Sequence, residues 1–466
     1  MNTTRHRVSI SLGLLLAALF AGGCRRAQPV PAAQPEAPVL LICVDGVEIS
    51  LVRKLLEQNQ LPNLAALIDR GVFGALRTFT PAESPMIWTS IATGKAPDQH
   101  QIQGFVDPRT GTPFTSNARR GKALWNIASD YGLKSNSVGY WISWPAEEVL
   151  GTVVTQFATQ DQIQDQKNMK GSLHKDLEGA TWPAGYVEEI WPLVEREGSA
   201  EAIAEQVLEP VFGHEQDVEV PPVIAELISG SLWSFRADQI YHAVAKQLFE
   251  TDPGALNIVY YGGSDVIGHR FWRYLEPEKF TYPIPEEHVR AFGGAIANYY
   301  RILDRRVGEL VALFGEQARV IVVSDHGMHA DFLDGLSDGK PVPTSGHHLD
   351  GPPGIFIAAG PGIRRGAGVK GFLRSSQPSQ PSQWGMAGTV FDLAPTLLYL
   401  LDIPVPDDLD RGAVLTRILT EEQLTRRPPA RVDTHDEGFR PATPSISADS
   451  RADEEFIERM RQLGYF

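Results

Sequence analysis

The chain has 466 residues, 42% of them hydrophobic, and a formal net charge of -15. Such a length buries one large α/β domain with insertions, or two or three smaller domains, and the composition excludes a disordered or fibrous protein. The negative balance argues against a nucleic-acid polymer as partner, because phosphate backbones are held mainly by Lys and Arg, but leaves room for a small anionic substrate where metal ions supply positive charge.

Arg5 and Arg7 precede the apolar run VSISLGLLLAALFAGG, which is too short for a comfortable membrane span and stops at Cys24. This reads as a signal peptide over residues 1–23. Ala21, Gly22 and Gly23 before Cys24 resemble a bacterial lipoprotein cleavage site, although Ala21 stands where Leu is usual. The expectation is an exported protein, lipid-anchored to the bacterial cell envelope and facing the periplasm, with the membrane as a partner through that anchor. Cys43 is then the only other cysteine, so no internal disulfide framework can form; its place in an apolar run predicts core packing.

RRAQPVPAAQPEAPV is rich in Pro and Ala without periodicity and reads as a tether over residues 24–38. From Val39 to Leu419, apolar runs alternate with helix-period segments: VLLICVDG, GALRTF, SNSVGYW, GTVVTQF, LNIVYYGGSD, RVIVVSDHG and GIFIAAGPG. Continuous apolar strands separated by helices predict an α/β fold with a mostly parallel central sheet and helices on both faces. Between about Asp161 and Pro253 the pattern becomes acidic and helix-like, which reads as a helical insertion. Residues 420–466 form a Pro-rich charged tail. Its terminal helix would be capped by Ser450 and carry Phe456, Ile457, Met460 and Leu463 on one face.

Three strands end in potential metal ligands: Asp45 after LLICV, Asp265 and His269 after IVYYGGS, Asp325 and His326 after VIVVS. In parallel sheets, ligands gather beyond the carboxyl ends of strands. Asp265 and His269 are four apart, the spacing that puts two side chains on one face of a helical turn. Asp325 and His326 are adjacent, so a loop has to turn both inward. A further candidate is one of His347 and His348, in a Gly- and Pro-rich loop before the last strand. Three Asp and three His suit two Zn²⁺ ions, because zinc accepts both imidazole and carboxylate and catalytic sites leave positions open. Taken singly, each of these residues reads as a cap, a turn or a core histidine; their recurrence at strand ends reverses that reading. Ser84, in TPAESPMIWTSIATG, reads as the N-cap of an apolar helix and also as a nucleophile, since a helix N-terminus favours an incoming phosphate.

VDG with Asp45, ESPMIWTSIATGKAPDQH with Ser84, GGSDVIGH, VVSDHGM and SGHHLDGPPGIFIAAGPGI, in that order, resemble the type I phosphodiesterase/nucleotide pyrophosphatase branch of the alkaline phosphatase superfamily. The resemblance runs from about Val39 to Leu419. It implies a zinc-dependent phosphoric ester hydrolase working through a phosphoryl-enzyme on a small phosphate ester. It also implies one zinc held by Asp45, Ser84, Asp325 and His326, and a second by Asp265, His269 and the loop histidine, with His348 preferred over His347.

The chain departs from the family pattern where a Thr nucleophile is usual with Asn three residues on: those places hold Ser84 and Ile87. Loss of the Asn donor puts nucleotide substrates in question, and Lys95 is the candidate substrate-binding replacement. His100 reads as structural, and Arg270 and Arg273 as surface charges of a helix. A monoanionic diester is expected over a dianionic monoester, its second substituent resting against Trp88 or Trp272. The rivals are a phosphomonoesterase or phosphonate hydrolase on the same core, and a non-catalytic envelope scaffold. A sulfatase is disfavoured because SPMIW lacks the Pro and Arg pattern for formylglycine conversion, and a phosphoglycerate mutase because an exported lipoprotein is a poor place for glycolysis.

Overall fold

The computed structural model describes residues 34–156, 177–213, 220–331, 343–375 and 385–440, together with 175, 334–337, 340 and 341. The expected signal peptide, Cys24, the start of the insertion at Asp161 and the terminal helix near Phe456 lie outside the described residues. Nine segments of the described residues form one sheet: β1 (Val39–Val44), β2 (Gly71–Arg77), β3 (Ser135–Val138), β4 (Gly151–Val154), β5 (Thr181–Trp182), β6 (Leu256–Tyr261), β7 (Arg319–Val323), β8 (Gly354–Ala359) and β9 (Met386–Thr389). Their order is β9-β2-β8-β7-β1-β6-β3-β4-β5. The run β7-β1-β6-β3-β4 is parallel, while β8 runs against both β7 and β2.

The helices that matter here are α1 (Ile49–Glu57), α2 (Pro62–Asp69), α3 (Ser84–Thr93), α4 (Leu124–Asp130), α5 (Tyr186–Glu197), α6 (Pro222–Thr251), α7 (Gly263–Leu275), α8 (Ala295–Phe314) and α9 (Leu393–Leu400). Strand alternation assigns them to two layers. Leu40, Ile42 and Val44 of β1 pack into one core with α1, α2, α6, α7 and α8, and Val39, Leu41 and Cys43 into the other with α3, α4 and α9. This is why the strand is apolar at every position rather than at alternate ones. Burial of each Leu, Ile or Val contributes ~1.5–3 kcal/mol, so Leu41→Ala would cost about 2–5 kcal/mol.

The helical insertion contributes α5 and α6, and α6 packs on the sheet through Phe235, Ile240 and Val244 rather than standing off as a separate cap. The described part of the tail lies against the domain as well. Arg431–Val432 pairs with Val405–Pro406, and Gln423 is buried.

Registers across β7, β1 and β6 place the functional edge. Cys43 is level with Val323, and Val44 with Tyr261, so the residues that follow these strands emerge side by side. The antiparallel strand has its own role. Because β8 points the other way, the loop that enters it, with His347 and His348, arrives at the rim where β7 and β1 end.

Candidate active site

Asp45 is the first residue beyond β1, and Gly46 takes φ of +66°. A Cβ on Gly46 would stand 2.9 Å from the Asp265 Cα, so a glycine is what lets this exit pass the start of α7. Beyond β6, Gly262 leads into α7, which carries Asp265 in its first turn and His269 one turn later. Beyond β7, the Ser324 hydroxyl donates to the His326 carbonyl at 2.7 Å and accepts the Val47 N–H at 2.9 Å, tying the two neighbouring exits together. Ser84 begins α3 after the turn from β2, and the Ala82 N–H reaches the Leu349 carbonyl at 3.1 Å, which holds that turn to the histidine loop.

Two adjoining groups result. In the first, Ser84 Oγ lies 3.3 Å from Asp45 Oδ1 and 3.4 Å from His326 Nε2. His326 Nε2 is 3.2 Å from Asp45 Oδ1 and 3.4 Å from Asp325 Oδ2. In the second, Asp265 Oδ1 is 3.4 Å from both His269 Nε2 and His348 Nε2, which are 3.2 Å from each other. The groups touch through the stacked rings of His326 and His348, with centroids 3.5 Å apart. Ligand atoms of Asp45, Asp325 and His326, and likewise of Asp265, His326 and His348, all lie within 4.8 Å of one another. His347 is turned aside, with Nδ1 3.8 Å from Asp331.

The surrounding bonds orient these side chains. His269 and His326 donate from Nδ1 to the carbonyls of Gly346 and Gly327, both at 2.8 Å, leaving Nε2 of each facing inward. Asp45 Oδ2 accepts from Tyr260 Oη at 2.5 Å and Trp88 Nε1 at 2.9 Å, so Oδ1 remains for the site. The Tyr260 hydroxyl in turn accepts from Trp141 Nε1 at 2.7 Å.

Burial raises the Asp45 carboxyl, but bonds from His326, Tyr260 and Trp88 outweigh it and hold the group below its ordinary value. Asp325 goes the other way: burial and then the Asp45 charge push it well up. Burial lowers His326, yet Asp325 and Asp45 drive it up to about 10. Burial and three neighbouring histidines hold His348 well down. Three carboxylates concentrated in a dry volume, faced by inward imidazole nitrogens, are a donor set that divalent cations fit, because the cations supply the missing positive charge.

Beside Ser84 a small cleft is lined by the aromatic side chains of Phe105, Trp141, Trp233, Tyr241 and Tyr260 together with Asp45, Asp238 and Asp265. Trp233, Ala237 and Tyr241 recur every four residues on α6, so the insertion contributes one helix face to the lining. No Lys or Arg lines it among the described residues.

Residues 39–334 match the type I phosphodiesterase / nucleotide pyrophosphatase family. The chain belongs to that family. No curated protein matches the chain. Solved structures similar to this family member include phosphonoacetate hydrolase from Sinorhizobium meliloti 1021 in complex with phosphonoformate, at 18% identity and TM-score 0.39, covering 66% of this chain. The chain spans 60% of that protein's length. Another is a 2-O GAG sulfatase, at 14% identity and TM-score 0.47, covering 86% of this chain and 76% of that one. The phosphodiesterase family is metal-dependent, and the buried Asp and His groups described above are this member's candidate ligands.

Several sequence expectations for this family member are corrected by the structure. Lys95, expected at the substrate, bridges Asp408 and Asp436 at 2.9 Å each and does not line the cleft. Arg270 and Arg273 are not surface charges but buried, beneath the insertion and the 344–345 segment. Burial lowers Arg270 to about 10, and Arg273 donates to the Thr344 carbonyl at 3.2 Å. Trp88 and Trp272 do not wall the cleft: Trp88 is committed to Asp45, and Trp272 donates to Glu276 at 2.6 Å. Ser84 is the first helical residue of α3, with Glu83 in the N-cap position. His100 is buried and neutral, its Nδ1 accepting from the Ile102 N–H at 3.1 Å. Sequence reasoning missed Tyr260, Trp141 and Asp238, none of which stands in a motif.

Proposed function

We propose that the chain hydrolyses phosphoric esters through Ser84 with two divalent cations, of which zinc best suits the mixed carboxylate and imidazole donors. Asp45, Ser84, Asp325 and His326 would hold one; Asp265, His269 and His348 would hold the other. When bound, such cations polarise the phosphoryl oxygens and acidify a serine hydroxyl or water. Ser84 gives up its hydroxyl proton, Oγ bonds to phosphorus, and the ester oxygen in line leaves as the alcohol. Water then displaces Ser84 and releases the phosphate product. Tyr260 and Trp88 keep Asp45 Oδ1 aimed at the reacting serine. The observation that carries this reading is the convergence of Ser84 with three buried aspartates and three buried histidines at one rim of the sheet.

The substrate is a diester rather than a monoester. Two dications carry four positive charges, and three aspartates with an ionised Ser84 carry four negative ones. A dianion would therefore need further cations, and the cleft walls offer aromatic surface instead. A matched pair of nitrophenyl phosphate mono- and diester tests this on the zinc-loaded protein. A diester advantage above about tenfold in kcat/KM is expected, and a monoester advantage of that size overturns it. Metal content near two zinc per chain accompanies the reading, and none refutes it. The protein is exported and lipid-anchored, a reading supported by Arg5, Arg7, the apolar run and Cys24. Cys24→Ser should release active protein into the soluble fraction, and a variant that stays membrane-bound refutes the lipid anchor.

A further inference from the structure

We infer that Asp238, on the inserted helix α6, is a positioning residue that fixes the start of α7 and, through it, the ligands Asp265 and His269. This rests on the two-cation reading above and concerns residues outside the ligand set. Asp238 is 1% exposed. Its Oδ1 accepts the Gly262 N–H at 2.8 Å, and its Oδ2 accepts the Gly263 N–H at 3.0 Å and the Tyr299 hydroxyl at 2.6 Å. Arg306 Nη1 lies 3.7 Å from Oδ2.

Those two N–H groups belong to the opening of α7, which has no side-chain cap of its own because its N-cap residue is Gly262. A carboxylate from another helix does the capping instead. Asp265 follows Gly263 by two residues and His269 by six, so a tilt or fray of this first turn moves both. Sterics at Gly263 support the assignment. A Cβ there would meet Tyr299 Oη at 1.9 Å and Asp238 Oδ2 at 2.9 Å, so the glycine leaves the room that the carboxylate and phenol fill. Asp238 also lines the cleft together with Asp265, which links the insertion to the helix that carries two of the proposed ligands.

Asp238→Asn is the direct test. Its amide oxygen can accept one backbone N–H, while its NH₂ faces the other and cannot accept. Zinc binding to the full-length protein is measured by chelator competition, with far-UV circular dichroism and thermal melting alongside. The folded variant should bind one zinc equivalent at least tenfold more weakly and leave the other within twofold. Adding Asp238→Asn to Asp265→Asn should cause a smaller loss than Asp238→Asn causes alone, because the part of its effect that runs through Asp265 is already gone and only the part through His269 remains. Unchanged affinity for both equivalents, or losses that simply multiply in the double variant, overturns the inference. Where Asp238→Asn does not fold, Tyr299→Phe removes one partner and keeps the carboxylate. It should weaken the same equivalent severalfold, and an unchanged value refutes the assignment. Weakened zinc binding in a protein that hydrolyses no ester would sustain the positioning role while removing the proposed function; a wild-type chain that binds no zinc removes both.

Discussion

Tyr260→Phe deletes one oxygen that serves two neighbours. The hydroxyl donates to Asp45 at 2.5 Å, a charge-assisted bond inside a dry site, and accepts from Trp141 Nε1 at 2.7 Å. Losing a hydrogen bond to a charged group costs about 1.5–3 kcal/mol, and leaving the buried Trp141 N–H without its acceptor costs roughly 1–3 kcal/mol more. Trp88 still donates to the same carboxylate oxygen, which limits the first term. A total near 3–5 kcal/mol is expected, a large part of the ~5–15 kcal/mol that separates folded from unfolded chains. The freed carboxylate can rotate, so zinc affinity should fall by about 10–100-fold, the usual effect of removing a partner that orients a ligand. Urea unfolding gives the stability and chelator competition the affinity. The double variant Tyr260→Phe/Trp141→Phe removes the orphaned donor as well and should recover about 1–2 kcal/mol of stability without restoring zinc affinity. A single variant within about 0.5 kcal/mol of wild type and within twofold in zinc affinity would refute the view that Tyr260 holds Asp45.

Ser84→Ala should keep the fold and most zinc binding but remove nearly all turnover; activity within about tenfold of wild type, ~1.4 kcal/mol of barrier, would mean a water nucleophile. His100 is held down to about 3 by burial and then by Arg119. The unfolded chain therefore takes up a proton as pH falls through 6.5 while the folded chain refuses it, and stability declines from there toward pH 3 by ~1.4 kcal/mol per unit. His100→Asn should flatten that decline in urea midpoints, and curves parallel to wild type would refute it. Lys95→Ala should cost about 1–3 kcal/mol of stability, because Asp408 and Asp436 lose their shared partner, and leave KM within twofold. A tenfold rise in KM without destabilisation would put Lys95 back at the substrate.

Some of this was legible in the sequence because it is local. The six apolar residues of β1 announce a strand buried on both faces, and the spacing of Asp265 and His269 announces a shared helix face. Gathering Asp45, Asp265, His269, Asp325 and His326 needed only one further rule, that parallel neighbours end at the same rim; His348 reaches that rim because β8 runs antiparallel. What was not legible depends on partners far away in the chain. Lys95 could not be assigned because Asp408 lies 313 residues downstream. Arg270 resembles any helix-surface charge until α6 is laid over it: a Cβ at Gly230 would stand 2.7 Å from its Nη1. Tyr260 sits in an ordinary apolar strand, and nothing nearby reveals that its hydroxyl reaches Asp45.

The candidate ligands run from Asp45 to His348, separated by stretches of sheet and helix rather than grouped in a short loop. A cation held by Asp45 and Asp325, as proposed, would be in effect a cross-link closing a loop of about 280 residues, and its binding energy would be shared by the strands that the loop spans. During synthesis the set of candidate ligands is incomplete until His348 has been made. On the two-cation reading, loading therefore follows the synthesis of β1, β6 and β7, the strands whose ends carry the other candidate ligands.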